Sequence, residues 1–239
     1  MIAELLPDAV ASAWRLDDTE PVTLFPEEAA VVARAIAGRQ REFATVRLCA
    51  RLALRRLGLP GTPLTPGLRG EPRWPHGVAG SMTHCPGYRA AALARTTDVL
   101  SLGIDAEPAA PLPEGVLEGV SLPRERRHLR ALAERAPGVP WDRLLFSAKE
   151  SVFKTWYPLT RTDLVFEEAS LDFEPDPDTA GAAPDTAGAA PDDTRAHTGT
   201  FTARLLVPGP VIGHTRRDHF TGRWLVREGL VLTAIVLPR

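Results

Sequence analysis

Between residues 81 and 105 the chain carries three strand-like runs in succession, Ser81 to His84, Tyr88 to Arg95 and Val99 to Asp105. Cys85-Pro86-Gly87 between the first two is a turn signal, and a connection so short can join only antiparallel neighbours. The chain must therefore contain a hairpin-built sheet. On either side of it lie helical patterns. Phe43, Val46, Ala50, Leu54 and Leu57 recur at spacings of three and four until Gly58 and Pro60 end the run. Trp141, Leu144, Leu145, Ala148, Val152 and Trp156 repeat the pattern behind Pro140, and Pro158 is expected to halt that helix. Pro26 followed by Glu27 and Glu28 marks a further helix start. Long helices around such a sheet place the chain in the α+β class.

The connecting segments are equally marked. Gly58 to Gly80 is rich in Pro and Gly and reads as an ordered loop, Pro108 to Pro123 reads as irregular, and Arg124 to Arg135 as a charged helix. Thr200 to Val207, Arg223 to Val226 and Val231 to Leu237 read as strands of a second sheet, with Glu228-Gly229 turning the last pair. Beyond Phe173 the texture changes: DTAGAAP at Asp178 to Pro184 is repeated letter for letter at Asp185 to Pro191. A unit without large apolar side chains cannot offset its ordering entropy, so a disordered surface insertion is expected over about 174–199.

Composition removes several classes of function. At 239 residues the chain can bury a core without disulfide or zinc staples, and its two cysteines, Cys49 and Cys85, read as reduced thiols. His84 beside Cys85 leaves a zinc site short of ligands. No run approaches the ~18 apolar residues of a spanning helix. The first ten residues carry Glu4 and Asp8 where a signal peptide would be positive, so a cytoplasmic protein away from membranes is expected. With 28 basic residues against 30 acidic ones, the net charge of −2 lacks the basic excess of a nucleic-acid binder. Anion binding has to be local.

Of the 28 basic residues only two are lysines, and both, Lys149 and Lys154, stand on the 140–157 helix. A GC-rich genome explains the scarcity of lysine but not this clustering. Between them is Glu150, four residues before Lys154 and on the same helical face, where the plain alternative is a helix-stabilising salt bridge worth ~0.3 kcal/mol. In Leu102-Gly103-Ile104-Asp105-Ala106-Glu107 the period of two projects both carboxylates to one side, where a hard ion such as Mg²⁺ or Mn²⁺ would relieve their repulsion. An Asp-x-Glu pair alone also ends many surface strands. Arg47, Arg51 and Arg55 stack at four-residue intervals, an arrangement that repels itself unless an anion offsets it, though a solvated helix face reads equally well.

Three motifs taken together carry a resemblance: Gly80-Ser81-Met82-Thr83-His84-Cys85, Gly103-Ile104-Asp105-Ala106-Glu107 and Phe146-Ser147-Ala148-Lys149-Glu150-Ser151-Val152-Phe153-Lys154. In that order the chain resembles the Sfp-type 4'-phosphopantetheinyl transferases, in the branch of the enterobactin-synthase component D and the actinobacterial enzymes. The Glu71-Pro72-Arg73-Trp74-Pro75 loop is similar to the same branch, and the resemblance covers residues 25 to 173. It implies two pseudo-symmetric subdomains, 1–106 and 107–239, each a small antiparallel sheet packed with a long helix, with the active site in the cleft between them. It implies transfer of the phosphopantetheine arm of coenzyme A to a serine of an apo acyl or peptidyl carrier protein by a monomeric enzyme. Asp105, Glu107 and Glu150 would hold Mg²⁺, with Mn²⁺ possible, and Glu150 and Lys154 would be catalytic. Arg47, Arg51, Arg69, Ser81, Thr83, His84, Lys149 and Lys154 would bind coenzyme A. The arginines at 124, 126, 127 and 130 are candidates for steering an acidic carrier. Two alternatives stay open at this point: another metal-dependent nucleotide phosphotransferase or phosphodiesterase, and a non-catalytic coenzyme A-binding protein.

Overall fold

The computed structural model describes residues 1–180 and 196–239. Its elements follow in the order β1 (Ala11–Arg15), α1 (Pro26–Val32), α2 (Ala37–Arg56), β2 (Val78–Cys85), β3 (Tyr88–Arg95) and β4 (Val99–Pro108). Then come α3 (Val116–Val120), α4 (Pro123–Arg135), α5 (Trp141–Thr160), β5 (Ala169–Pro175), α6 (Pro177–Ala180), β6 (His197–Leu205), β7 (Val211–Ile212), β8 (Thr215–Arg216), β9 (His219–Arg227) and β10 (Leu230–Pro238). Two antiparallel sheets result, one of three strands in the order β1-β3-β2 and one of five in the order β4-β10-β9-β6-β5, beside a small β7-β8 ribbon.

The alternation of side chains along the strands stacks these sheets face to face. Tyr88, Ala90, Ala92 and Ala94 of β3 share a core with Leu102, Ile104 and Ala106 of β4 and with Leu232 and Ala234 of β10. The opposite face of β3, through Ala91 and Leu93, packs on α2. On the outer face of the five-stranded sheet, Val231 and Ile235 meet Leu144, Ala148 and Val152 of α5, with Trp141 and Trp224 edge to face at 5.4 Å. The layers run α2, small sheet, large sheet, α5. Each half is thus a sheet packed with a 20-residue helix, the α+β arrangement expected.

β4 is where the halves join. The expected end of the first subdomain, residue 106, falls inside this strand, and in the fold its backbone pairs with β10 of the five-stranded sheet. Its remaining edge meets β2 without a backbone ladder. Instead, the amides of Ile104 and Ala106 donate to the hydroxyls of Ser81 and Thr83, both at 3.1 Å, so side chains satisfy edge groups that would otherwise be unpaired. Leu102, Ile104 and Ala106 of β4 fill the inter-sheet core, and the alternate residues, Ser101 to Glu107, face α5.

Gly103 lets α5 lie this close. A Cβ there would stand 2.1 Å from the Ser151 carbonyl oxygen and 2.6 Å from Thr155 Oγ1. The helix is further keyed by Ser147 and Ser151, whose hydroxyls meet Thr233 Oγ1 at 3.0 and 2.7 Å. Pro158 does not halt α5, which continues to Thr160 because a proline in the last turn forfeits only one ladder bond; Arg161, at φ 57°, then turns the chain away. The disordered insertion expected over 174–199 is corrected at both ends, which are ordered: β5 reaches Pro175, α6 follows, and β6 begins at His197. Asp176 and Thr179 hydrogen-bond Thr198 across its base. The remainder of the two DTAGAAP copies, from residue 181 onward, lies outside the described residues.

Candidate active site

A cleft of about 600 Å³ opens between the 69–74 loop and α5. Arg69, Glu71, Arg73 and Trp74 wall one side, Glu150, Phe153, Lys154, Tyr157 and Arg161 the other, and Gly80, Ser81 and Met82 form part of its lining. Most of its charge is positive, on a partly aromatic surface. That combination suits a phosphorylated ligand with an apolar or aromatic portion.

At its inner end the two candidate motifs meet. Lys154 Nζ donates to Asp105 Oδ1 at 2.7 Å and to the Ile104 carbonyl at 3.2 Å, joining α5 to β4. Asp105 is almost wholly buried, and Thr83 donates to the same carboxylate oxygen at 3.2 Å. Its other oxygen, Oδ2, is buried without a hydrogen-bond partner. Glu107, on the same face of β4, pairs with Arg143 at 2.9 Å. Burial raises the pKa of Glu107, and Asp105 raises it further, while Arg143 opposes the change. Burial likewise raises Glu150; Lys154 pulls it back and Asp105 adds to the rise.

Three neighbouring carboxylates, of which Glu107 and Glu150 are raised by burial and by Asp105, are a donor set for a hard divalent ion. The orphaned Asp105 Oδ2 fits that reading: a buried carboxylate oxygen without a partner is costly unless a cation completes it. Among the described residues no three such groups are yet gathered into a cage. Lys154 and Arg143 hold Asp105 and Glu107 by ion pairs instead.

The structure separates the two lysines. Lys149 points away from Lys154 into the core, where it donates to the carbonyls of Phe166 (2.6 Å) and Ala169 (3.0 Å) and pairs with buried Glu125 at 3.0 Å. Burial lowers its pKa, with Glu125 opposing. Expected as a coenzyme A ligand, Lys149 instead has all three of its ammonium donors occupied by protein. Glu125, which made no mark in the sequence, supplies the partner.

The expected arginine site also looks different. Arg51 forks onto Glu28, itself fully buried, and onto the Thr23 carbonyl, so the anion offsetting the helix stripe is internal. Arg47 is buried, stacks 3.3 Å from the Phe43 ring centroid and bonds the Leu64 carbonyl; burial lowers it to about 10. Arg55 is exposed. His84 is exposed at the end of β2, with Nε2 2.6 Å from Arg39 Nη1 and 3.5 Å from Glu42. Desolvation lowers its pKa, which matches a neutral ring accepting from Arg39. Ser81 and Thr83 spend their hydroxyls on β4, and of the two only Ser81 borders the cleft. Arg69 stands at the cleft mouth and pairs with Asp163. Arg73 and Arg161 enter the cleft lining unanticipated, and Arg143 pairs with Glu107 outside that lining; an arginine-rich composition hides such positions, and the proximity of the 69–74 loop to α5 is the missing signal.

Comparison with known proteins decides what this cleft belongs to. A family model described as "4'-phosphopantetheinyl transferase N-terminal domain" matches residues 27–94, and one described as "4'-phosphopantetheinyl transferase superfamily" matches residues 101–203. The 4'-phosphopantetheinyl transferase Svp of Streptomyces mobaraensis is 58% identical over 240 residues, spanning 99% of this chain and 89% of Svp. The chain belongs to the 4'-phosphopantetheinyl transferase family. The transferases PptT of Mycobacterium tuberculosis, 44% identical over 99% of this chain and 98% of PptT, and Npt of Nocardia iowensis, 45% identical over 98% of this chain and 99% of Npt, place it among the actinobacterial, Sfp-type enzymes. It is thus a phosphopantetheinyl transferase, and the cleft is its candidate active site. Among the described residues no helix of this transferase is long and apolar enough to cross a membrane.

Proposed function

We propose that this phosphopantetheinyl transferase takes coenzyme A as donor, bound in the cleft with its phosphates toward Arg69, Arg73 and Lys154, and a serine of an apo carrier protein as acceptor. The observation that carries the reading is the convergence at the inner end of the cleft: Glu150, raised by burial, beside Lys154 and the half-satisfied carboxylate of Asp105. Asp105, Glu107 and Glu150 would hold Mg²⁺ or Mn²⁺, which when bound supplies charge to offset the pyrophosphate and to ease departure of the leaving phosphate. Lys154 contributes a compact ammonium with one donor unspent toward the cleft. Glu150 accepts the proton of the incoming serine hydroxyl; a carboxylate raised toward the working pH is a better base than an ordinary one. The serine oxygen forms a bond to the phosphorus bearing the pantetheine arm, the bond from that phosphorus to the bridging oxygen breaks, and adenosine 3',5'-bisphosphate leaves.

Arg39 and His84, 2.6 Å apart at the end of β2, support a second anion position suited to the 3'-phosphate of the nucleotide. The exposed Arg127 and Arg130 of α4 offer positive charge to an acidic carrier, whereas Arg124 is paired with Asp172. The protein acts as a monomer away from membrane and nucleic acid. Incubation with coenzyme A, Mg²⁺ and an apo carrier protein should add one phosphopantetheine mass to the carrier serine. No such gain on any of a panel of acyl, peptidyl and aryl carriers would sink the reading.

A further inference from the structure

The mouth of the cleft is spanned by two charge pairs of opposite sense. Arg69 of the 67–73 loop forks onto Asp163, with Nε to Oδ1 at 2.8 Å and a second contact from Nη2 to Oδ2. Arg161 reaches back across to Glu71 at 3.3 Å. Each loop is built without the other. Glu71 accepts the Arg69 amide at 3.0 Å, Gly67 donates to the Glu71 carbonyl at 2.7 Å, and Gly70 takes the left-handed conformation that the turn requires. On the opposite side the Trp156 indole holds the Thr162 carbonyl at 2.9 Å, and the Arg161 amide closes the end of α5 on Tyr157. The pairs can therefore open without either loop unravelling.

Arg69 borders two cavities, the main cleft and an adjoining groove, whereas Asp163 borders only the groove. The carboxylate thus engages the guanidinium from the groove, outside the lining that Arg69 shares with Glu150. Both partners are about half exposed, at 53% and 51%, so water and salt weaken the pair. A phosphate also binds a guanidinium through two parallel hydrogen bonds, with more charge than a carboxylate brings. We propose that Asp163 is an internal competitor for Arg69, displaced by a phosphate of the incoming donor, and that it sets the affinity of the cleft for that donor. This rests on the reading of the cleft as the coenzyme A site.

Isothermal titration of coenzyme A into the full chain at low salt tests it with four variants: Asp163→Asn, Asp163→Glu, Arg69→Gln and the double variant Asp163→Asn with Arg69→Gln. Asp163→Asn should tighten binding about three- to fivefold, the scale of an exposed ion pair, and lower the KM for coenzyme A with kcat unchanged. Asp163→Glu should stay near wild type. Arg69→Gln should weaken binding, and the double variant should match it, because the competitor has nothing left to compete for. The gain from Asp163→Asn should shrink in 0.5 M salt. If the wild type binds coenzyme A and Asp163→Asn binds it no more tightly, the competitor is overturned while the site stands. If the wild type does not bind coenzyme A, both fall.

Discussion

On the core side of α5, Lys149 donates to two carbonyls and to Glu125, which also accepts the amides of Leu122 and Leu171; every polar group has its partner and none reaches water. On the cleft side, Lys154 has two partners and stays partly exposed, Asp105 keeps one oxygen unsatisfied, and Glu150 forms no ion pair within the described residues. One helix therefore carries a closed ionic cluster and an open one. Helical geometry separates them: five residues turn roughly 140° about the axis, whereas the four from Glu150 to Lys154 turn only about 40°. A closed cluster specifies structure, because all its hydrogen bonds are made on folding. An open one keeps capacity in reserve, and only reserve capacity can act on a ligand.

The sharpest way to break this contrast is to neutralise the open side. Glu150→Gln should lower kcat by roughly 10²- to 10⁴-fold, the range for loss of a general base, with the melting temperature unchanged or raised. The sign follows from linkage. A carboxyl raised on folding binds its proton more tightly in the native state, so stability falls as pH rises through the folded pKa, and the glutamine removes that cost. Activity runs the other way, being lost as pH falls through the same raised pKa. The acid limb of the rate profile should therefore lie above the ordinary carboxylate range. A variant that keeps its rate, or loses its fold, would erase the distinction between the two sides.

The closed side should respond in stability. Lys149→Met strands the buried Glu125 charge, which should cost about 3–5 kcal/mol by denaturant unfolding. Adding Glu125→Gln should restore much of that loss, since the amide oxygen can still accept a backbone N–H while the charge is gone. If Lys149→Met unfolds like the wild type but loses coenzyme A affinity, the lysine belongs to the cleft after all.

Periodicity foretold some of this and was blind to the rest for definite reasons. The six apolar positions from Trp141 to Trp156 are all buried, and period two correctly puts Asp105 and Glu107 on one face of β4. Alternation does not reveal which sheet a strand joins, so β4 could not be assigned to the larger sheet in advance. β1 is five residues long and owes its place to β3, while β5 lies where composition changes most. The partners Glu28 for Arg51 and Glu125 for Lys149 lie 23 and 24 residues away in sequence, beyond the reach of helical spacing. The lysine cluster lies on the helix that borders the cleft. What it could not convey, as a bare scarcity of lysine, was that the pair divides between core and cleft, although the five-residue interval already held that information.

Lys154→Arg probes the open side more gently than Glu150→Gln. The ammonium serves Asp105 and the Ile104 carbonyl at once from a single nitrogen, and a planar guanidinium cannot reproduce that geometry while also facing the cleft. The rate should fall on the order of a hundredfold, the effect of losing one transition-state donor, with coenzyme A affinity changed much less. Near-normal turnover would mean that charge alone suffices, and that the clustering of lysines has no chemical cause.

The smallest effect belongs to the repeat, and it tests whether the contrast between closed and open clusters extends past residue 180. Its base is sealed by the hydrogen bonds that Asp176 and Thr179 make to Thr198, so the ends of β5 and β6 are held however long the connection is. Loop-closure entropy changes by only about 0.5 kcal/mol when a connection of about sixteen residues loses seven. Deleting one DTAGAAP copy, Asp185 to Pro191, should therefore shift the melting temperature by about 1–2 °C, toward higher stability, and leave kcat and the KM for coenzyme A unaltered. A large loss of stability would show that the copy packs against the fold. A change confined to turnover with carrier protein would give the repeat a part in docking that α5 and the cleft do not share.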